Sequence, residues 1–262
     1  MTYRLLTLEI ADSVATITMN RPERLNALSD DLIAELLAAV TEAADRTSGA
    51  RCLLLTGAGR GFSSGADLAQ QQMSDGLPDL SAKLKTGYNP LISAMHDLPI
   101  PIVAAVNGPA AGAGMSLALA ADFILAARSA YFLQAFVNIG LAPDAGATWF
   151  LPRLVGPARA LELMLLGERL PADKAADWGL IHRVVDDGQL MTEARALAVR
   201  LAQGPTKSLA AIRRLARTSW DNDLKSQLAE EADAQKTLGY SKDFLAGIGA
   251  FLSKSAPKFR GE

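Results

Sequence analysis

The stretch IVAAVNGPAAGAGMSLALAADFILAAR, residues 102–128, decides the architecture. Its first residues are all apolar, which suits a strand covered on both faces. Asn107, Gly108 and Pro109 break that run, and AAGAGMSLALAAD (110–122) then reads as a helix entered through small residues. FILAAR (123–128) returns to an apolar strand. A connection of a dozen or more residues carrying a helix is what a parallel strand pair requires. The expectation is therefore an α/β fold with a buried, largely parallel sheet.

The same grammar extends outward. CLLLTG (52–57) is another short apolar strand and AYFLQ (130–134) a further one. Residues 4–20 alternate about the turn Ala11-Asp12-Ser13 and read as an antiparallel hairpin. Ser29, Asp30 and Asp31 precede an apolar stripe (Leu32, Ile33, Leu36, Leu37, Val40), the pattern of a capped amphipathic helix. A helix is expected near 82–97, and 69–87 is the candidate mobile loop. From about 157 the chain becomes helical in period, with only IHRVV (181–185) as a strand. Helices are expected in PARALELMLLG, PADKAADWGL, 187–203, 205–219, 223–238 and DFLAGIGAFLSK.

Composition excludes several classes. Among 262 residues half are hydrophobic, and the net charge of −2 offers no basic footprint for nucleic acid. The N-terminus lacks a signal-peptide pattern. The apolar region 100–127 is interrupted by Pro101, Asn107, Pro109 and Asp122, so no membrane span is expected. One cysteine, Cys52, lies in an apolar run as a buried thiol, which suits a reducing, cytoplasmic setting. Two histidines and one cysteine supply no zinc-like cluster.

Two motifs mislead. TGAGRG (56–61) follows a strand, but a dinucleotide fingerprint needs glycine where Phe62 or Ser63 stands. GFSSG (61–65) matches the nucleophile-elbow pattern around Ser63, with His182 later in the chain. Yet a glycine-rich loop separates that serine from its strand, whereas the elbow leaves the strand directly.

NRPERLNAL (20–28), GRGFSSGADL (59–68) and NGPAAGAGMSLALAADFILA (107–126) together are far more specific. In these segments the chain resembles the crotonase (enoyl-CoA hydratase/isomerase) superfamily. The likeness continues through GLAPDAGATWFLPRLVG, WGLIHRVVDD and AFLSKSAPKF. Its middle most resembles the ring-epoxide isomerases of phenylacetyl-CoA degradation. The resemblance implies a spiral of ββα units over residues 1–200 and a helical trimerisation region over 201–262, assembled as trimers or hexamers. It implies an acyl-CoA substrate whose coenzyme A is part of the substrate, with no separate cofactor.

By family position the amides of Ala66 and Ala113 form an oxyanion hole for a thioester enolate. Such preorganised donors stabilise developing charge strongly. Gly65, Gly112 and Gly114 would allow close backbone approach to ligand. Read without the family, these small residues serve equally for tight packing. Arg24 and Leu25 fall at the nucleotide contact, and Ser64, Asp67 and Leu68 at the adenine and pantetheine arm. Phe251 and Lys254 match C-terminal positions that reach a neighbouring subunit's CoA; Arg24 and Lys254 read equally as solvated surface charges.

The departures carry the functional reading. Family hydratases use two glutamates; here those positions are Ser116 and Phe136, while a third position holds Asp144. One carboxylate beside an enolate hole suits proton relocation, hence an isomerase. The alternatives are a hydratase with another second base, or a non-catalytic binding protein on the same fold. Asp144 as a nucleophile, as in the aryl-CoA dehalogenases, is a variant. Phe132, Phe136 and Trp149 read as an acyl pocket or as ordinary core. From its own stretch, Asp144 reads equally as a helix N-cap.

Overall fold

The computed structural model describes residues 2–68 and 79–262. β1 (Leu6–Ala11) and β2 (Val14–Met19) form the expected antiparallel hairpin. Asp12 and Ser13 both adopt positive φ, as a two-residue turn matched to strand twist demands. From β2 the sheet runs parallel through β3 (Cys52–Gly57), β4 (Ile102–Val106), β6 (Phe123–Ala127) and β9 (Arg183–Val185). Every residue of β3 and β4 is buried, the reason these strands read as unbroken apolar runs.

Helices cover that sheet. α1 (Asp30–Ala44) starts where Ser29 accepts a hydrogen bond from the Leu32 amide at 3.2 Å. It buries Leu32, Ile33, Leu36 and Val40, and each such side chain contributes about 1.5–3 kcal/mol on leaving water. α7 (Leu190–Ala202) packs across β3 and β4 through Ala194 and Ala198.

A second, shorter layer lies beside the first. β5 (Ala110–Ala111) pairs in parallel with β7 (Tyr131–Leu133). β7 pairs antiparallel with β8 (Arg169–Pro171). Isolated parallel bridges, Leu28 to Ala66 and Ser63 to Ala110, extend this layer back toward the N-terminus. Successive turns of chain thus place one strand in the large sheet and a short extended piece in the second layer, with helices outside. The expected spiral is present.

Three expectations need correction. β8 is a second strand beyond residue 157; three residues, one a proline, are too short to show alternation, and only the β7 edge makes them a strand. Of the loop expected over 69–87, residues 69–78 lie outside the described residues, and the remainder is helical. Asp79 caps α2 (Leu80–Lys83) by accepting from the Ser81 amide. A wide π-type turn over Leu84–Tyr88 then runs directly into α3 (Asn89–Asp97). The third concerns PARALELMLLG, which is the second half of a longer helix, α5 (Ala147–Leu166), interrupted where Gly156 takes φ 79°.

α6 (Ala172–Asp177) leads back to β9. The chain ends in α8 (Thr206–Thr218), α9 (Leu224–Gly239) and α10 (Lys242–Leu252). One carboxylate ties α8 to the core: Asp122 accepts from Arg213 at 2.6 Å, from Arg217 at 3.0 Å and from the Ile102 amide at 2.7 Å. Arg213 also donates to the Leu98 carbonyl and Arg217 to that of His96. Among the described residues no helix is long and apolar enough to cross a membrane.

Candidate active site

The second layer builds two unpaired amides. At the Leu28–Ala66 bridge, Leu28 donates to the Gly65 carbonyl at 2.8 Å and Asp67 donates to the Leu28 carbonyl at 3.1 Å. A parallel ladder with those two bonds turns the Ala66 N–H away from Leu28. Ala113 is the first residue of α4 (Ala113–Leu119), where an amide has no partner within its own helix. Among the described residues neither N–H donates to a protein acceptor.

Glycines set the spacing between these segments. A Cβ on Gly65, which has φ +92°, would stand 2.7 Å from the Ala111 carbonyl oxygen and 3.5 Å from the Ala113 nitrogen. A Cβ on Gly114 would meet Ser63 at 2.6 Å. These residues let the two amide-bearing segments approach each other closely. Gly112 takes φ +51° and its amide donates to Leu133, so the chain turns into α4 with the Ala113 N–H free.

Asp144 lies in the turn before α5. Ala145 (φ 49°) and Gly146 (φ 82°) are both left-handed, and Gly146 occupies the cap position without any side-chain cap. The Asp144 carbonyl, not its carboxylate, accepts from the Ala147 amide at 3.0 Å. The N-cap reading is therefore corrected: Gly146 holds the cap position, and among the described residues the Asp144 carboxylate makes no hydrogen bond to the helix start. Oδ1 is buried with no hydrogen bond, and among the described residues the carboxylate has no ion-pair partner. Burial without compensation pushes its pKa up to about 6.

Ser116, fully buried on α4, contacts this turn. Its Oγ lies 3.1 Å from the Asp144 carbonyl oxygen and 3.3 Å from that of Gly112. Phe136, also buried, presents its ring edge 3.9 Å from where a Gly112 Cβ would stand. Phe132 is core, with no exposure. Trp149 sits beneath the Arg153 guanidinium at 4.2 Å and edge-on to His96.

The residues expected along the CoA arm separate into groups. Arg24, Leu25 and Ser64 come together: the Ser64 amide donates to the Leu25 carbonyl at 2.9 Å, and its hydroxyl to that of Arg24 at 3.3 Å. Leu68 is half exposed nearby in sequence. Asp67, by contrast, is buried and its carboxylate is engaged by Arg21 at 2.8 Å, which leaves it serving the protein's own interior. Phe251 lies in the last turn of α10 and is 82% exposed, and Lys254 follows just beyond the helix. Phe251 borders a groove of about 890 Å³ between α8, α9 and α10. Among the described residues no hydrogen bond or ion pair joins these two to the Ala66 region.

Three supporting residues, Arg21, Asn26 and Tyr88, were missed by sequence reasoning. Asn26, with no exposure, fills the glycine loop of the decoy TGAGRG, its amide donating to Ala58 and Gly61. Ser63 of the other misleading motif is buried and donates to the Asn26 carbonyl at 2.9 Å, so it is no nucleophile; His182 instead meets Phe123 edge to face. The Tyr88 hydroxyl reaches the Leu28 carbonyl at 3.4 Å. Burial, then the charge of Asp144, holds that phenol well above its ordinary pKa. The signal for Arg21 and Asn26 was the polar density of NRPERLN; nothing local marked Tyr88.

Among the described residues, a strand–strand–helix spiral thus carries two unpaired amides on neighbouring segments and a carboxylate without an ion-pair partner. The chain matches the sequence model of the enoyl-CoA hydratase/isomerase family over residues 9–262 and belongs to that family, the crotonases. It is 46% identical over 255 residues to a 1,2-epoxyphenylacetyl-CoA isomerase of Escherichia coli (strain K12), covering 97% of each chain. It is also 46% identical over 261 residues to a probable enoyl-CoA hydratase of Rhodobacter capsulatus, covering 100% of both. Among solved structures, a putative enoyl-CoA hydratase/isomerase from Mycobacterium abscessus superposes with a TM-score of 0.94 at 38% identity, over 98% of this chain and 100% of that one.

Proposed function

We propose that the chain is an acyl-CoA isomerase that relocates a proton along a thioester-stabilised dienolate. The observation that carries this is Asp144: its part-buried carboxylate has no ion-pair partner among the described residues and a pKa of about 6, and its backbone carbonyl is braced through Ser116 against the loop bearing the Ala113 amide. In the ionised form it takes a proton from the carbon next to the thioester carbonyl. The electron pair moves onto the carbonyl oxygen, where the Ala66 and Ala113 N–H groups receive it. Asp144, now protonated, returns the proton two carbons further on, the carbonyl re-forms and the double bond has shifted. No group is consumed. A pKa close to neutrality serves both halves of such a transfer.

Hydration by the two-glutamate route is disfavoured because Ser116 and Phe136 occupy both glutamate positions, and neither activates water. The Escherichia coli relative supports a ring-bearing acyl group, with Phe136 as one wall. We further assign Arg24, Leu25, Ser64 and Leu68 to the CoA arm. Phe251 and Lys254 are assigned to contact from a neighbouring copy in a cytoplasmic trimer or hexamer.

The test is Asp144→Asn assayed on a panel of β,γ-enoyl and ring-epoxide acyl-CoAs with product identification. A loss of roughly 10²–10⁴-fold in isomerisation is expected. Undiminished isomerisation by the variant, or fast water addition to crotonyl-CoA by the wild type, overturns the reading.

A further inference from the structure

Resting on that reading, we infer that Ser116 is a positioning residue that couples the oxyanion amide to the base. The Gly112 carbonyl, which Ser116 approaches, belongs to the same peptide unit as the Ala113 N–H. That carbonyl accepts the Ser116 amide at 3.1 Å and lies 3.3 Å from its hydroxyl. The hydroxyl lies 3.1 Å from the Asp144 carbonyl, which also takes the Ala147 amide at 3.0 Å. One hydroxyl proton is thus shared between the peptide that presents the oxyanion donor and the residue that presents the base.

Two consequences follow from the chemistry. A carbonyl that accepts more hydrogen bonding makes the N–H of its own peptide a stronger donor, because the dipoles polarise one another. The brace also fixes the plane of that peptide relative to the Asp144 backbone across 28 residues of sequence, and geometric tolerance in such sites is a fraction of an ångström. Ser116 has no exposed surface and touches no reacting atom; it acts through Ala113 and Asp144. A serine at a position that supplies a carboxylate in hydratases is therefore a working part of this site, not a vacancy left by a lost base.

The experiment compares wild type with Ser116→Ala and Ser116→Cys. Alanine removes the hydroxyl at little cost to a helix, and cysteine keeps the shape with a weak donor. The first readout is the carbonyl stretching frequency of a saturated ¹³C-thioester acyl-CoA bound to each protein, which needs no turnover. The second is the split between kcat and KM on the substrate found in the panel. The expected result is a smaller red-shift of the bound carbonyl in Ser116→Ala, with kcat down roughly tenfold and KM nearly unchanged, and intermediate behaviour in Ser116→Cys. A wild-type carbonyl shift and kcat in Ser116→Ala overturn the positioning role. An equal fall in active fraction and melting temperature with an unaltered carbonyl shift also overturns it, since that is what a packing role alone produces. If the wild type itself shows no red-shift, the oxyanion reading fails and the Ser116 role falls with it. A shift that persists in the wild type while Asp144→Asn stays active removes only the isomerase reading.

Discussion

The Arg21 guanidinium meets the Asp67 carboxylate at 2.8 Å, one residue beyond Ala66, with the two side chains only 12% and 7% exposed. Arg21 also donates to the Ala27 carbonyl, so a single cation ties the segment after β2 to the Ala66 strand. Removing one member of a buried pair leaves an uncompensated charge, at a cost of about 3–5 kcal/mol. Asp67→Ala is therefore expected to lower the melting temperature and activity together. A variant that kept wild-type thermal stability and merely raised KM would return Asp67 to the CoA arm.

The pH response of Asp144 has a definite sign. Folding raises its pKa from 3.8 to about 6 by desolvation, so the folded state holds the proton more tightly than the unfolded chain. Stability accordingly falls as pH rises from about 4 to about 6 and is flat above that window. The ceiling of about 3 kcal/mol is reduced to about 1–2 kcal/mol because the residue is only part-buried. Asp144→Asn should be the more stable protein at pH 8, with the difference vanishing near pH 4 in urea unfolding. The wild-type kcat/KM should fall on the acid side with an apparent pKa near 6, as Asp144 takes up its proton.

Gly65 and Gly114 are the least replaceable small residues of the site. At Gly65 a side chain meets both an unfavourable φ and the Ala111 carbonyl at 2.7 Å, together about 3 kcal/mol of strain. Gly65→Ala is expected to unfold at markedly lower denaturant and to lose acyl-thioester polarisation in whatever fraction folds. Gly49→Ala makes a control: it shares the positive φ but has open space around it, so only a modest stability loss is expected.

Asp122 is expected to govern whether α8 stays docked. Its carboxylate is 17% exposed and faces Arg213 and Arg217, themselves 9% and 15% exposed. Asp122→Ala strands two cations and should speed hydrogen exchange across 206–218 before it affects β3 or β4. Uniform acceleration over the whole chain would show that the clamp has no local role.

Much of the fold was legible because burial in this architecture is periodic. β3 and β4 are covered on both faces and read as apolar runs; α1 carries its stripe and its Ser29 cap within a few residues of each other. Elements that depend on a distant partner were not legible. β8 exists only against β7, the π-type turn ending at Tyr88 has no local signature, and the Gly156 break in α5 depends on a backbone conformation that sequence does not spell out.

By itself the sequence determined the sheet, its helices and the family. Through its family resemblance it also led to the expectation that Asp144 is the one carboxylate at three positions where family members place catalytic groups, the other two holding Ser116 and Phe136. Only the tertiary structure decided the surroundings of that carboxylate. Among the described residues, the free amides of Ala66 and Ala113, the unpaired carboxylate of Asp144 and the link of its carbonyl to Ser116 all arise between segments tens of residues apart. Hydrophobic period is written residue by residue along the chain. The direction of an unpaired N–H or a desolvated carboxylate is set by the register of one spiral turn on the next.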